Sequence, residues 1–138
     1  MIIADEAAMH RLGVQIADGL RAGNLVTLSG TLGAGKTVLA KAIISALGFE
    51  GDVSSPTFAI IHQYDEAGMR IPVVHADLYR LDDPEDLNEL GLFDDDRAVL
   101  LIEWPEKGGA QLLQPDLAIE ILPLAGGARQ VTIKDKRK

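Results

Sequence analysis

Residues 30–37 are Gly30-Thr31-Leu32-Gly33-Ala34-Gly35-Lys36-Thr37, and they match the pattern G-x-x-x-x-G-K-[ST] in full. In loops of this pattern, small residues let successive backbone N–H groups point inward at phosphate oxygens. The lysine, Lys36, supplies a positive charge for the β- and γ-phosphates, and the hydroxyl of Thr37 is a ligand for the Mg²⁺ that bridges them. This stretch therefore predicts a binding site for a nucleoside triphosphate and Mg²⁺.

The segments on either side of the loop have the patterns of a strand and a helix. Residues 25–28 are short, apolar and partly β-branched, which is typical of a buried strand. Residues 38–48 carry apolar side chains at helical spacing and end in Gly48. Strand, loop and helix in this order place the helix N-terminus, with its partial positive charge, against the phosphates.

The rest of the chain predicts an α/β fold. Apolar spacing indicates a helix over 6–22, and Pro84, acidic residues and Gly91 indicate a short helix over 84–91. Further strands are predicted over 58–62, 71–75, 98–102, 117–122 and 129–133. We therefore expect a three-layer, P-loop NTPase-like domain with a central, mostly parallel sheet, whose last two strands form a C-terminal antiparallel hairpin.

Composition and charge limit the function classes. A chain of 138 residues, 47% of them hydrophobic, predicts a single domain over 1–138. The net charge of −8 argues against a broad nucleic-acid surface, so that such contacts would be local or made through a partner. The basic segment 134–138 is either a disordered, solvated end or such a local contact. The chain has no cysteine, no long apolar run and no signal-peptide pattern, which predicts a cytoplasmic protein.

Two carboxylates follow buried strand patterns, at the positions where phosphoryl-transfer sites hold metal or water. Glu103 comes directly after five apolar residues, and Asp77 follows the strand-like residues 73–76. A turn-capping role is the alternative for Asp77. The neighbouring His75 is predicted to be structural, because a lone histidine in a strand is more often a hydrogen-bonded core residue than a ligand.

A third candidate lies in the run Ser54-Ser55-Pro56-Thr57-Phe58. One interpretation is a rigid loop in which Thr57 contacts Mg²⁺ or the γ-phosphate, as a switch threonine does. A plain Ser-Pro turn is the other.

Five motifs together resemble one family. They are GTLGAGKT, SSPTF, HADLYRL, LGL and LIEWPE, in this order. They resemble the bacterial TsaE (YjeE) family, the ATPase component of the machinery that forms threonylcarbamoyladenosine in tRNA, and the likeness runs from about Gly13 to Asp116. Thr31 is a departure, because the family usually has an acid there.

The resemblance implies an ATP and Mg²⁺ site. It implies that Asp77 and Glu103 serve the metal and hydrolysis, that Thr37 is a further metal ligand, and that Thr57 belongs to a switch-like loop. It also implies that Trp104 lies beside the nucleotide. The implied nucleotide contacts are Gly30, Thr31, Leu32, Gly33, Ala34, Gly35, Lys36, Thr37, Thr57 and Trp104.

The function implied by the resemblance is slow, partner-stimulated ATP hydrolysis that allows repeated cycles of tRNA modification at position 37. The implied partners are TsaB- and TsaD-type proteins, with tRNA contacted indirectly or only locally, and no membrane. A small-metabolite kinase is the alternative, although residues 91–116 offer only Arg97 and Lys107 for a phosphate lid. A GTPase would use the D-x-x-G match at 65–68, but the chain has no N-K-x-D motif. A nucleotide-dependent binding module is a further possibility.

Overall fold

The computed structural model describes residues 1–31, 33–51, 61–79, 81, 83, 95–107 and 114–137. Within these residues the chain forms two α-helices and seven strands. In chain order they are β1 (Ile2–Ile3), α1 (Glu6–Asp18), β2 (Leu25–Ser29), α2 (Lys36–Ala46), β3 (Ile61–Tyr64), β4 (Val73–Asp77), β5 (Val99–Glu103), β6 (Leu117–Pro123) and β7 (Arg129–Asp135). The helix predicted over 84–91 and the first part of the strand predicted over 58–62 lie outside the described residues.

The strands within the described ranges form one sheet in the order β1-β7-β6-β2-β5-β4-β3. The four central strands, β6, β2, β5 and β4, are parallel, whereas β3 and β7 run in the opposite direction. The sheet is therefore mostly parallel, and β6 and β7 form the predicted C-terminal antiparallel hairpin. The near-continuous apolar sequences of β2 and β5 fit this arrangement, because central parallel strands are buried on both faces.

The strand pairings at the two edges of the sheet were not predicted. Strand β3 pairs antiparallel with β4, through a connection that includes the turn at 65–68, and β1 adds a short strand beside β7. Helix α1 also ends four residues earlier than predicted, at Asp18. The Asn24 side chain accepts a hydrogen bond from the backbone N–H of Arg21, which stabilises a turn where the pattern suggested helix.

Helices α1 and α2 pack together on one face of the sheet and bury it in the main hydrophobic core. They approach closely where Gly13 meets α2, since a Cβ on Gly13 would overlap the side chain of Ala42. The opposite face buries a second apolar cluster that includes Leu25, Val74 and Leu100.

The four central parallel strands have their carboxyl ends on the same side of the sheet, and the phosphate-loop motif lies on this side. Strand β2 ends at Ser29, directly before the loop, while β4 ends at Asp77 and β5 at Glu103. In open α/β sheets, ligands bind outside the carboxyl ends of the strands. The fold thus brings the three predicted site segments to the same place.

The first two residues of the C-terminal basic segment continue the sheet. Lys134 and Asp135 belong to β7, and Arg137 donates a hydrogen bond to the carbonyl of Gly19 at the end of α1. Hydrogen bonds from Arg137 lower the pKa of Asp135 to about 2. Among the described residues, neither helix has the length and apolar composition that crossing a membrane requires.

Candidate functional site

The motif at 30–37 forms a loop between β2 and α2, as its sequence predicts. Gly35 is the N-cap of α2 and has a φ of 109°, a left-handed conformation that favours glycine. Gly30 has a φ of 148°, and a Cβ there would overlap the carbonyl oxygen of Ile121. The neighbouring strand β6 therefore requires a glycine at the first position of the loop. Leu32 lies outside the described residues.

The Lys36 ammonium group lies inside the curve of the loop. Its Nζ donates hydrogen bonds to the carbonyl oxygens of Gly30 and, at 3.1 Å, of Thr31, and it lies 3.8 Å from the centroid of the Trp104 ring. Desolvation lowers the pKa of Lys36, and the charges of Glu103, Asp77 and Glu106 oppose that shift. The nearby carboxylates and the aromatic ring thus favour the charged form of a largely buried amine.

The two predicted carboxylates lie side by side. Asp77 and Glu103 are the last residues of adjacent parallel strands and face each other in the register of β4 and β5. Asp77 also accepts a hydrogen bond of 3.0 Å from the backbone N–H of Tyr79, so that it fills both the turn-capping and the site position. Burial, followed by the charge of Glu103, raises the pKa of Asp77.

Glu103 is almost fully buried, with 2% of its surface exposed, and its partner is a histidine. Nε2 of His75 lies 2.6 Å from Oε2 of Glu103, and His75 itself has no exposed surface. Sequence reasoning assigned His75 a structural role but did not identify this partner.

Trp104 follows Glu103 in an unusual backbone conformation. Within the described residues it is the only one other than glycine with a left-handed φ, 58°. Its backbone N–H donates to the carbonyl of Leu28, and its ring lies 4.9 Å from that of Tyr79. Such a conformation costs about 1–3 kcal/mol and is held only where the surroundings fix it. Here it turns the chain sharply after Glu103 and leaves the indole beside Lys36.

The Lys36, Asp77, Glu103 and Trp104 side chains line one and the same cavity, of about 350 Å³. Of the residues predicted for the site, those that line it are Gly33, Ala34, Gly35, Lys36, Thr37, Asp77, Glu103 and Trp104. Gly30 and Thr31 instead border an adjoining groove, together with Trp104 and Tyr79. Thr57 and the rest of its motif lie outside the described residues.

Sequence reasoning missed the opposite wall of the cavity, which is formed by α1 and the β6–β7 hairpin. Asp5, Glu6, Met9, Gly127 and Arg129 line it. No local pattern indicates that these residues reach the loop. The packing of α1 against α2 brings the first three there, and the pairing of β7 beside β6 brings the last two.

Arg129 is the most specific of the missed residues. Its Nε donates at 2.8 Å to the carbonyl of Ala34, and one terminal nitrogen donates at 3.2 Å to that of Gly33. The other terminal nitrogen donates to the carbonyl oxygens of Gly127 and Ala128. The guanidinium therefore joins the hairpin to the backbone of the phosphate loop.

The D-x-x-G match at 65–68 lies on the opposite side of the sheet, where the parallel strands begin. This segment follows the end of β3 and precedes the start of β4, and Gly68 lies against Gly48, beyond the C-terminal end of α2. The loop at 30–37 is at the N-terminal end of the same helix. The match is therefore a structural turn and not part of the site.

The donor atoms of the cavity fit Mg²⁺ bound together with phosphate. The carboxylates of Asp77 and Glu103 and the hydroxyl of Thr37 are hard oxygen ligands, which Mg²⁺ prefers. The described residues contain no cluster of three or more histidine, cysteine or acidic side chains that would bind a metal alone. Mg²⁺ commonly completes its coordination with substrate phosphate and water, so the donor set suits a metal that arrives with a nucleotide.

Comparison with known proteins places these features in one family. The family model described as "Threonylcarbamoyl adenosine biosynthesis protein TsaE" matches residues 3–131. The chain is 40% identical over 126 residues to the tRNA threonylcarbamoyladenosine biosynthesis protein TsaE of Haemophilus influenzae, covering 86% of this chain and 78% of that protein. It is 42% identical over 118 residues to the protein of the same name from Streptomyces coelicolor, covering 82% of this chain and 78% of the relative.

A solved structure agrees with the sequence comparison. The crystal structure of YdiB from Bacillus subtilis superposes with a TM-score of 0.79 at 28% identity, covering 99% of this chain and 84% of that one. The fold, the family model and the relatives lead to the same conclusion: the chain belongs to the TsaE family.

Proposed function

We propose that this protein is a Mg²⁺-dependent ATPase that serves the formation of threonylcarbamoyladenosine in tRNA. The observation that carries the proposal is the meeting of Lys36, Asp77 and Glu103 in one cavity beside the phosphate loop. The names of the relatives supply the biological process, and the site supplies the chemistry. Position 37 of tRNAs that read codons beginning with A is the expected place of the modification.

Each residue has a role that its position supports. The backbone N–H groups of the loop and the Lys36 ammonium bind the β- and γ-phosphates, and Thr37 and Asp77 hold Mg²⁺. When bound, the metal neutralises charge on the phosphate oxygens. Glu103 lies beside Asp77, where it orients the attacking water, accepts its proton and adds a carboxylate to the metal site.

The size and charge of the chain support action on partner proteins. The cavity of about 350 Å³ is of the size that one small molecule fills. The net charge of −8 disfavours binding of tRNA by the isolated chain. We therefore expect slow hydrolysis by the protein alone and faster hydrolysis with TsaB- and TsaD-type partners, whose repeated cycles the reaction supports.

The decisive experiment measures hydrolysis of ATP and GTP in single turnover, with and without the partner proteins. Glu103→Gln keeps the shape of the side chain but cannot accept a proton, so we expect ATP to bind while hydrolysis falls by about 100-fold or more. Trp104 is the only tryptophan of the chain and contacts Lys36, so its fluorescence gives an independent measure of binding. Glu66→Gln, in the exposed turn between β3 and β4, is the matched control.

Two results would change the proposal. Normal hydrolysis by Glu103→Gln together with loss in Asp77→Asn would exchange the roles of the two carboxylates. An absence of hydrolysis in the wild type, with and without partners, would leave a nucleotide-dependent binding module in place of an enzyme.

A further inference from the structure

The contact between His75 and Glu103 has features that a simple packing contact does not require. Both side chains are almost completely buried, and Nε2 of His75 lies 2.6 Å from Oε2 of Glu103. The two residues lie on neighbouring parallel strands, where His75 faces Leu101, two residues before Glu103. A buried carboxylate needs hydrogen-bond partners, and His75 provides one from the interior of the sheet.

The hydrogen-bond geometry assigns the ring proton. Nδ1 of His75 is buried and has no hydrogen-bond partner among the described residues. A hydrogen on Nδ1 alone would be left unbonded, and the lone pair of Nε2 would face a carboxylate oxygen at 2.6 Å. A hydrogen on Nε2 removes this conflict, because Nε2–H then donates to Oε2. Nδ1 is then an acceptor that receives no hydrogen bond from the described residues.

We infer that His75 is a positioning residue for Glu103. The Nε2–H group holds Oε2 and thereby fixes the rotamer of the carboxylate, which leaves Oε1 to act in the cavity that Glu103 lines. Groups that orient a catalytic or metal-binding carboxylate typically contribute about 10- to 100-fold to activity or metal affinity. The inference rests on the proposed function for its effect on hydrolysis, whereas the hydrogen bond itself is a property of the protein without nucleotide.

Substitutions at position 75 separate positioning from packing. A glutamine places its amide nitrogen near the position of Nε2, so His75→Gln retains a donor for Glu103. An asparagine is too short and places its amide near the position of Nδ1, so His75→Asn loses that donor while remaining polar. His62→Gln is the control, because His62 lies opposite His75 in the register of β3 and β4 and does not line the cavity.

The first measurement uses the nucleotide-free protein. A long-range ¹H–¹⁵N correlation spectrum shows which nitrogen of each imidazole carries a hydrogen, and the loss of signals in His75→Gln assigns this ring among the three histidines. We expect a hydrogen on Nε2 whose resonance moves upfield in Glu103→Gln, since an amide oxygen is a weaker acceptor than a carboxylate. A ring without a hydrogen on Nε2, or an unchanged resonance in Glu103→Gln, would overturn the inference.

The second measurement separates turnover from binding. In His75→Asn we expect kcat to fall by about 10- to 100-fold, with ATP affinity by calorimetry changed far less. His75→Gln should recover most of the turnover, and His62→Gln should match the wild type. Equal losses in the glutamine and asparagine variants, or a loss of affinity equal to the loss of kcat, would contradict positioning. A wild type that hydrolyses no ATP would refute the proposed function, whereas the ring spectrum would still decide the hydrogen bond.

Discussion

At the scale of single residues, Lys36 shows how the site keeps a charge in a buried place. The residue has only 5% of its surface exposed, and two loop carbonyls, the Trp104 ring and nearby carboxylates surround its ammonium group. Phosphate oxygens would be stronger partners than the carbonyls of Gly30 and Thr31, because they carry negative charge. Binding of a triphosphate therefore exchanges weaker hydrogen bonds for stronger ones.

Lys36→Ala should weaken the binding of ATP. The substitution removes charge-assisted hydrogen bonds worth about 1.5–3 kcal/mol, which corresponds to roughly 10- to 100-fold in affinity. Calorimetric titration measures the change, with Lys41→Ala as the matched control, because Lys41 is an exposed lysine of the same helix. Wild-type affinity in Lys36→Ala would remove the phosphate-binding role from the loop.

Asp77→Asn should stabilise the protein without nucleotide and metal at neutral pH. Because burial and Glu103 raise the pKa of Asp77, the folded protein retains this proton to higher pH than the unfolded chain does. The ionised carboxylate therefore destabilises the fold above that pKa, and an amide removes the effect. We expect a rise of about 1–3 °C in melting temperature at pH 7. The gain should disappear as the pH falls through the folded-state pKa.

Asp95→Asn provides a control of opposite sign for that measurement. Hydrogen bonds from Arg97 lower the pKa of Asp95, so its ionised form stabilises the folded state at neutral pH. The amide should therefore give no gain at pH 7. The prediction would be contradicted if Asp77→Asn, like Asp95→Asn, lowered the melting temperature at pH 7.

The sequence allowed part of the cavity lining to be predicted, whereas contacts between residues that lie far apart in the chain were missed. Lys36 could be predicted from a local motif, and Asp77 and Glu103 from carboxylates at strand ends. Arg129 could not, because its hydrogen bonds to Ala34 and Gly33 depend on where β7 pairs in the sheet. The partner of His75 was missed for the same reason, since it lies on another strand.

At the scale of elements, the contact between α1 and α2 depends on one small residue. A Cβ on Gly13 would overlap Ala42 and would lie 3.2 Å from the backbone of α2 at Ile43. Backbone atoms cannot move aside as a flexible side chain can. The close contact between the helices fixes the position of α2. It therefore also fixes the end of the phosphate loop, which leads into this helix.

Gly13→Ala should therefore destabilise the fold, although alanine favours helices. Helix propensity would contribute about 1 kcal/mol in favour of alanine, whereas forcing extra volume into a packed interface costs about 1–3 kcal/mol and occasionally more. We expect a net loss in urea denaturation, with Val14→Ala at the exposed neighbouring position as the control. A Gly13→Ala protein as stable as the wild type would show that the helices can separate at little cost.

The elements nearest the motif could be predicted best. Strand β2 and helix α2 flank a loop whose sequence demands both, and the β6–β7 hairpin follows from two strand patterns close together. The antiparallel direction of β3 was not predicted, because it depends on how the connection to β4 folds back. Strand β1 is only two residues long, too short for any periodic pattern.

At the scale of the whole molecule, the proposed function can be tested in the cell. If the proposed function is right, Lys36→Ala should lower the amount of threonylcarbamoyladenosine in bulk tRNA. Replacing the chromosomal gene with the Lys36→Ala form and with the Lys41→Ala form, followed by mass spectrometry of tRNA nucleosides, tests this. Normal levels of the modified nucleoside in both strains, with no second copy of the gene, would contradict the role.

The position of β2 in the sheet has a consequence for the order in which a ribosome makes the site. Strand β2 carries the phosphate loop, yet both of its neighbours, β5 and β6, belong to the last third of the chain. The loop thus emerges from the ribosome long before the strands that frame it, and pairing across such long separations is slow. A fragment of residues 1–98 contains the whole motif but neither neighbouring strand, and it should bind no ATP. Unfinished chains would then not compete with the complete protein for nucleotide.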